Sequence, residues 1–462
     1  MSPMTAPEQL LSEFIRHASV STDPGAQVGM EGARAWVAGQ LRDLGFAVEE
    51  IATPLHPLLL AERRTRPEHP HLLLYGHYDV QPADPYELWT TPPFEAAVRH
   101  GRIYGRGAAD NKGPMVVHLS ALREVLHTNP DLPLNLTYLV EGEEEIGSPS
   151  FRGFLEQYRE RLAEAEVVLL SDTASPSTEQ LVITTALRGL LYVGVKVTGP
   201  RTDLHSGMHG GAVRNPIQAL ATLLASLHTE NGAVNVPGFY DEVTPPADWE
   251  REELTHVGRS AEDYARFLGV DAFFPPPGYS PEEAIRFAPT LEFNGIGGGF
   301  QGEGVKTVIP SEARAKITCR LVADQDPFVL EERVCQALRD RCPPGVTLEL
   351  ETGSRAYPYS VIPPDRPNTP ADQPEAVARA FHAVENAVTD TFGRRPLYLR
   401  EGGSVPLVAD LQKIAGLDTI LLGLFTPEDN LHAPDESFSL RTLERGIPAF
   451  AEIFRRIAGS TD

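Results

Sequence analysis

Apolar positions fall into two rhythms along the chain. In "APEQLLSEFIRHA" and "GMEGARAWVAGQLRDLG", between residues 6 and 45, they recur every three or four residues, which predicts two helices with Gly45 closing the second. The short runs "FAVEEI" and "HLLLYG" read as strands. The rhythms then alternate: a helix in "NKGPMVVHLSALREVLH", a strand in "LPLNLTYLVEG", a helix in "SPSFRGFLEQYRERLA" and a strand in "AEVVLLSD". Such alternation predicts a three-layer α/β domain on a mostly parallel sheet.

Near residue 185 the pattern changes. "GLLYVGVKVTG" alternates like a half-exposed antiparallel strand, "NPIQALATLLASLH" reads as a helix, and "VKTVIP" and "ARAKITCRLV" read as strands. A helix, "DPFVLEERVCQALRD", and a strand, "GVTLELET", follow. This is an α+β domain inserted into the first. Within it, residues 231–300 look irregular, and "NGIGGGFQGEG", without a strand–loop–helix frame, reads as loop. The Pro-rich "YPYSVIPPDRPNTPADQP" marks the return. Helix "EAVARAFHAVENAVTDTF", strand "DTILLGLF" and helix "LRTLERGIPAFAEIFRRI" complete the host. The expected organisation is therefore a host domain in two parts, residues 1–184 and 353–462, with an inserted domain at 185–352.

Composition narrows the function. A net charge of −24 over 462 residues argues against nucleic acid and anionic membranes as partners, since phosphate binding needs clustered Lys and Arg. The start, "MSPMTAPEQLLSEFIRH", lacks the basic and apolar segments of a secretory leader, and no apolar run is long enough to span a bilayer. Three cysteines, Cys319, Cys335 and Cys342, without Cys-x-x-Cys spacing point to reduced thiols and a cytoplasmic location. Any metal must then be held by His and carboxylate.

Five segments carry such groups where strands of an open α/β sheet end, the place where these sheets put their sites. They are "GHYDV" with His77 and Asp79, "GRGAADNKG" with Asp110, "EGEEEIGS" with Glu144 and Glu145, "LLSD" with Asp172, and "NLHAPDE" with His432. Singly, each reads as a strand-end polar residue, a helix cap or a turn. Together they form an N/O donor set suited to Zn²⁺, Mn²⁺ or Co²⁺, with a spare carboxylate to act as base. A serine hydrolase built on Ser206 or Ser404 is disfavoured, because "GGSVP" lacks the final Gly of a nucleophile elbow.

"GHYDVQP", the Trp89–Phe94 string, "GRGAADNKG", "EGEEEIGS", "LRG", "DLHSG", "KTVIP" and "REGGSVP" occur in one order along the chain. By these strings the sequence resembles the dinuclear zinc peptidases that include cytosolic nonspecific dipeptidase, carnosine dipeptidase, aminoacylase, succinyl-diaminopimelate desuccinylase and glutamate carboxypeptidase, with the dipeptidases nearest. The resemblance implies two divalent metal ions per chain, Zn²⁺ foremost, bridged by Asp110. His77 and Asp172 would complete one site, and Glu145 and His432 the other. It implies Glu144 as general base for a metal-bridged hydroxide, Asp79 as the residue orienting His77, and a cis bond between Asp110 and Asn111. It also implies a lid that forms a homodimer, with His205 reaching the partner's site to hold the scissile carbonyl. Arg320 would take the substrate carboxylate, and Thr307, Ser404 and Asn215 would bind substrate. For the substrate's amine, Glu401 and Asp172 are the acidic candidates. The expected activity is hydrolysis of dipeptides or short peptides, with N-acyl-amino-acid deacylation as the alternative.

Overall fold

The computed structural model describes residues 6–459; the first five residues of the segment weighed as a leader lie outside it. Helices α1 (Pro7–Ile15) and α2 (Gln27–Asp43) each bury one apolar stripe, Leu10, Leu11, Phe14 and Ile15 in the first and Met30, Ala33, Val37 and Leu41 in the second. The chain continues through β1 (Ala47–Ile51), β2 (Leu58–Arg63), β3 (His71–His77), α3 (Gly113–Thr128), β4 (Asn135–Glu141), α4 (Phe151–Leu162), β5 (Val167–Leu170) and β6 (Val182–Leu187).

Residues Ala186–Ser360, with Arg400–Ala409, form a second compact unit. It holds β7 (Gly189–Thr198), α5 (Pro216–Ala225), β8 (Thr290–Gly298), β9 (Glu312–Leu321), α6 (Pro327–Arg341) and β10 (Thr347–Ala356). The strands make an antiparallel sheet in the order β8-β9-β7-β10. Every second residue faces a core: Leu191, Val193, Val195 and Val197 from β7, and Ala313, Ala315, Ile317 and Cys319 from β9. Leu220, Leu223 and Leu224 of α5 and Leu330, Val334 and Leu338 of α6 close that core. This period of two is the signature of a sheet with one covered face.

The first unit resumes with α7 (Glu375–Phe392), β11 (Thr419–Leu422) and α8 (Leu440–Ile457). Its sheet runs β1-β2-β4-β3-β5-β11-β6, with the short strands Tyr359–Ser360 and Leu397–Glu401 also pairing with β6. Only the central β4, β3, β5 and β11 are mutually parallel; β1, β2 and β6 are antiparallel additions. Every residue of β3, β4, β5 and β11 is buried. Strands with no exposed face need helices on both sides, which gives the three layers. Among the described residues, no helix is long and apolar enough to cross a membrane.

The structure departs from the sequence reading at several places, and the second unit takes in residues 353–360 and 400–409 beyond the expected bounds. Strand β2 has no counterpart in it, because "LLLAER" ends in charge instead of alternating. The stretch read as loop at Asn294–Gly298 is the second half of β8, which follows a register shift between Phe293 and Gly295. Glycine lacks the side chain that marks a strand, but it still pairs through its backbone. Residues 231–300 also contain three short helices, Asp248–Thr255, Ala261–Leu268 and Pro281–Phe287. In "VKTVIP", only Val308 and Ile309 form a strand, paired with Leu204 and His205.

Candidate metal centre

Four of the predicted donors sit at or beyond the carboxyl ends of the parallel strands. His77 ends β3, Glu145 follows β4, Asp172 follows β5, and His432 lies on the loop after β11. Parallel strands point the same way, so these ends share one edge of the sheet, where open α/β folds place their sites. Asp110 comes from the turn that opens α3, and its bond to Asn111 is cis.

A small sheet brings Asp110 to His432, which is 322 residues away in sequence. Ser437–Ser439 pairs with Arg102–Tyr104, which in turn pairs with Ala97–Arg99. Arginines of this hairpin grip both flanks of the His432 loop: Arg99 donates to Asp435 at 2.9 Å, and Arg102 donates to Asp429. His432 adopts φ 59° between these anchors.

The two oxygens of Asp110 face opposite ways. Oδ1 lies 3.0 Å from His77 Nε2, and Oδ2 lies 3.0 Å from His432 Nε2. Asp172 Oδ1 is 3.9 Å from His77 Nε2, and Glu145 Oε2 is 3.5 Å from His432 Nε2. The donors thus form two triads sharing Asp110, each with all its donor atoms within 4.8 Å of one another. Two ligands at ~2.1 Å from one tetrahedral ion lie ~3.4 Å apart. The observed spacings bracket that value, so the residues fit a divalent cation in each triad.

Charge makes the same point. Burial alone would depress the His77 imidazole, but its hydrogen bonds to Asp110 and Asp79 hold its pKa well above the usual range. The hydrogen bond to Asp110 raises His432 as well. Asp110 responds in the opposite sense: burial would raise it, but the bonds from His432 and His77 pull it well below the carboxylate range. Glu145 is pushed up to about 8 and Asp172 to about 7, each by burial and then by the Asp110 charge. Cations held here would compete with protons for these groups, because ligands bind in their deprotonated forms.

Asp79 lies two residues beyond His77 and past the end of β3, not within the strand. Its backbone oxygen is 3.0 Å, and its Oδ1 3.3 Å, from His77 Nδ1. Glu144 opens the short turn Glu144–Ile146. Burial, then the charges of Asp172, Asp110 and Glu145 working against His77, raise its pKa well above the usual value. Its neighbour Glu143 turns away, accepting from Thr53 Oγ1 at 2.7 Å and His56 N at 2.9 Å.

Sequence reasoning passed over two residues that orient these carboxylates. Asn111 Nδ2 donates to Asp172 Oδ1 at 2.9 Å, and Gln81 Nε2 donates to Glu145 Oε2 at 2.8 Å. Both stand inside quoted strings, Asn111 in "GRGAADNKG" and Gln81 in "GHYDVQP", so closeness to the named donors was the available signal.

Within the second unit, four of the remaining candidates form two pairs. His205 pairs with Val308, next to Thr307, on a two-residue ribbon. His205 Nδ1 accepts the Gly207 N–H at 3.0 Å, which leaves the ring proton on Nε2. Arg320 Nη1 donates to Ser404 Oγ at 2.7 Å. Burial is what lowers the Arg320 pKa. Asn215 caps α5, its Oδ1 accepting from Ile217 N at 2.9 Å.

The profile of peptidase family M20/M25/M40 matches residues 73–456. The chain belongs to this family. Cys-Gly metallodipeptidase dug1 of Schizosaccharomyces pombe is 30% identical to it, over 90% of this chain and 86% of that protein. Two solved structures match at 28% identity. Human carnosine dipeptidase 1 gives a TM-score of 0.79, covering 98% of this chain and 96% of that one. The M20 family metallo-carboxypeptidase Sso-CP2 from Sulfolobus solfataricus gives 0.85, covering 98% and 100%. Family membership makes the chain a hydrolase of the metallopeptidase class.

Proposed function

We propose that the chain is a dinuclear dipeptidase that hydrolyses the amide bond of dipeptides or short peptides. One observation carries the reading: two donor triads that share the two oxygens of a single buried aspartate. Two divalent ions, Zn²⁺ with Mn²⁺ or Co²⁺ as substitutes, would be held by His77, Asp110 and Asp172 on one side and by Asp110, Glu145 and His432 on the other. Bound cations there supply Lewis-acid charge and make water a better nucleophile near neutral pH.

The protein's own groups do the rest. Glu144, with its raised pKa, accepts the proton of the attacking water and returns it to the departing amine. Asp79 keeps the His77 ring in one orientation through Nδ1, leaving Nε2 toward Asp110. His205, protonated at Nε2, donates to the carbonyl oxygen as it gains charge, acting in a partner subunit's centre. The Arg320 guanidinium, held by Ser404, takes the substrate's carboxylate. Thr307 and the Asn215 amide bind substrate backbone.

A homodimer through the second unit follows from the same reading. Strand β8 is a sheet edge, and on it and the following turn Ile296 and Phe300 are exposed. An open edge with apolar side chains is a ready surface for another copy. The thiols of Cys319, Cys335 and Cys342 are free, which supports a reducing, cytoplasmic location.

Steady-state assays of metal-loaded protein on Xaa-Yaa dipeptides and matching N-acetyl amino acids test the assignment, with Glu144→Ala as control. The dipeptides are expected to be cut and the control to be silent. Preference for the acetylated series would make the chain a deacylase using the same centre.

A further inference from the structure

The turn that carries Asp110 is wrapped around a second buried carboxylate. Glu436, wholly buried, stands four residues after His432 and one before the strand Ser437–Ser439. Its Oε2 accepts from Gly107 N at 2.9 Å and from Arg106 Nη1 at 2.6 Å. Its Oε1 accepts from Ala109 N at 2.9 Å and from Asp110 N at 3.1 Å. Its backbone oxygen accepts from Gly105 N at 2.9 Å, extending the ladder that pairs Arg102–Tyr104 with Ser437–Ser439. Glu436 therefore holds Gly105, Arg106, Gly107, Ala109 and Asp110; of the amides it does not take, Arg106 N bonds to Pro93 O and Ala108 N to Gly105 O.

The chain is built to receive it. Gly107 takes φ +81°, and a Cβ there would come within 2.4 Å of Val80, so only glycine lets the turn curl its amides inward. Amides converging from such a turn make a nest for an anion. Arg106, exposed by only 1%, supplies the countercharge at the same oxygen. Glu436 adds a fourth acidic neighbour close to Asp110, yet its charge is spent on these donors.

We propose that Glu436 is a positioning residue for the shared carboxylate. It fixes the backbone from which Asp110 projects, so that one oxygen faces His77 and the other faces His432. Because Glu436 and His432 lie on one segment, it also ties the two ligand-bearing loops together at a fixed spacing. The inference rests on the metal-centre reading. Asp110 is common to both triads, so disturbing Glu436 weakens both ions, not one.

The test compares the full-length wild type with Glu436→Gln and Glu436→Asp. Zn²⁺ affinity is measured by competition with a chromogenic chelator, the visible spectrum of the Co²⁺-loaded protein is recorded, and the metal-free forms are melted. Glu436→Gln turns an amide N–H toward backbone N–H groups. It is expected to lower Zn²⁺ affinity by about 10- to 100-fold and to alter the Co²⁺ spectrum, while the metal-free protein still melts cooperatively. Glu436→Asp, which keeps the charge but shortens the reach, is expected to fall between the two, and it decides alone if the amide variant does not fold. Variants that bind Zn²⁺ as tightly as the wild type overturn the inference, even if they melt lower. A wild type that holds no Zn²⁺ overturns the metal-centre reading first, and this inference with it.

Discussion

The metal-centre candidates of the first unit and the substrate-binding candidates of the second are held in opposite ways. His77, Asp79 and Asp110 are buried, Asn111, Gln81 and backbone amides brace the carboxylates around them, and His432 is the one exposed member of the five metal-ligand candidates. In the second unit, His205 and Thr307 are exposed, and His205 rests on one hydrogen bond to its own turn. Reacting groups must be fixed before substrate arrives, since displacement of about 1 Å costs large factors in rate. Groups that grip a peptide can finish ordering on it. The contrast teaches where rigidity has been invested: in the atoms placed to hold the metal.

The contrast can be broken or sharpened in order of expected effect. Glu144→Gln is expected to lower kcat by about 10²- to 10⁴-fold with metal content unchanged; lost metal would make Glu144 a ligand instead of a base. His205→Ala should lower kcat by about 10²- to 10³-fold, the range for one oxyanion donor, and should leave Zn²⁺ affinity untouched. Arg320→Ala should raise KM by about 10-fold or more, as expected for a lost hydrogen bond between charged groups. C-terminally amidated dipeptides should be indifferent to that change, and equal losses on both substrates would contradict the role.

A separate effect is on stability. Burial lowers the His118 pKa to about 3 from an ordinary value near 6.5. As pH falls below about 6.5 the unfolded chain takes up a proton that the folded chain refuses. Stability is therefore lost between those two values, at up to about 1.4 kcal/mol per pH unit. Melting His118→Gln across pH 4–7 should give a shallower pH dependence than wild type; identical slopes would contradict this.

Much of this was legible in the chain because open α/β sheets announce their ends. An apolar run stopping at His77, or at Asp172, is visible without a structure, and α7 and α8 follow their helical patterns from first residue to last. Spacing could not say which donors meet. The partition around Asp110 depends on a contact across 322 residues, so it came from resemblance. Glu436 was invisible for the same reason: in "PDES" it is one acidic residue among many, and its partners lie on a turn that pattern cannot fold. The second half of β8 was missed because glycines carry no apolar signal.

Metal stoichiometry of the wild type beside Asp110→Ala tests the central claim most directly. The shared carboxylate predicts about two ions per wild-type chain and loss of both from the variant, with cooperative melting of the metal-free protein retained. A variant that keeps one ion at wild-type affinity, or a wild type that holds a single ion, would contradict it.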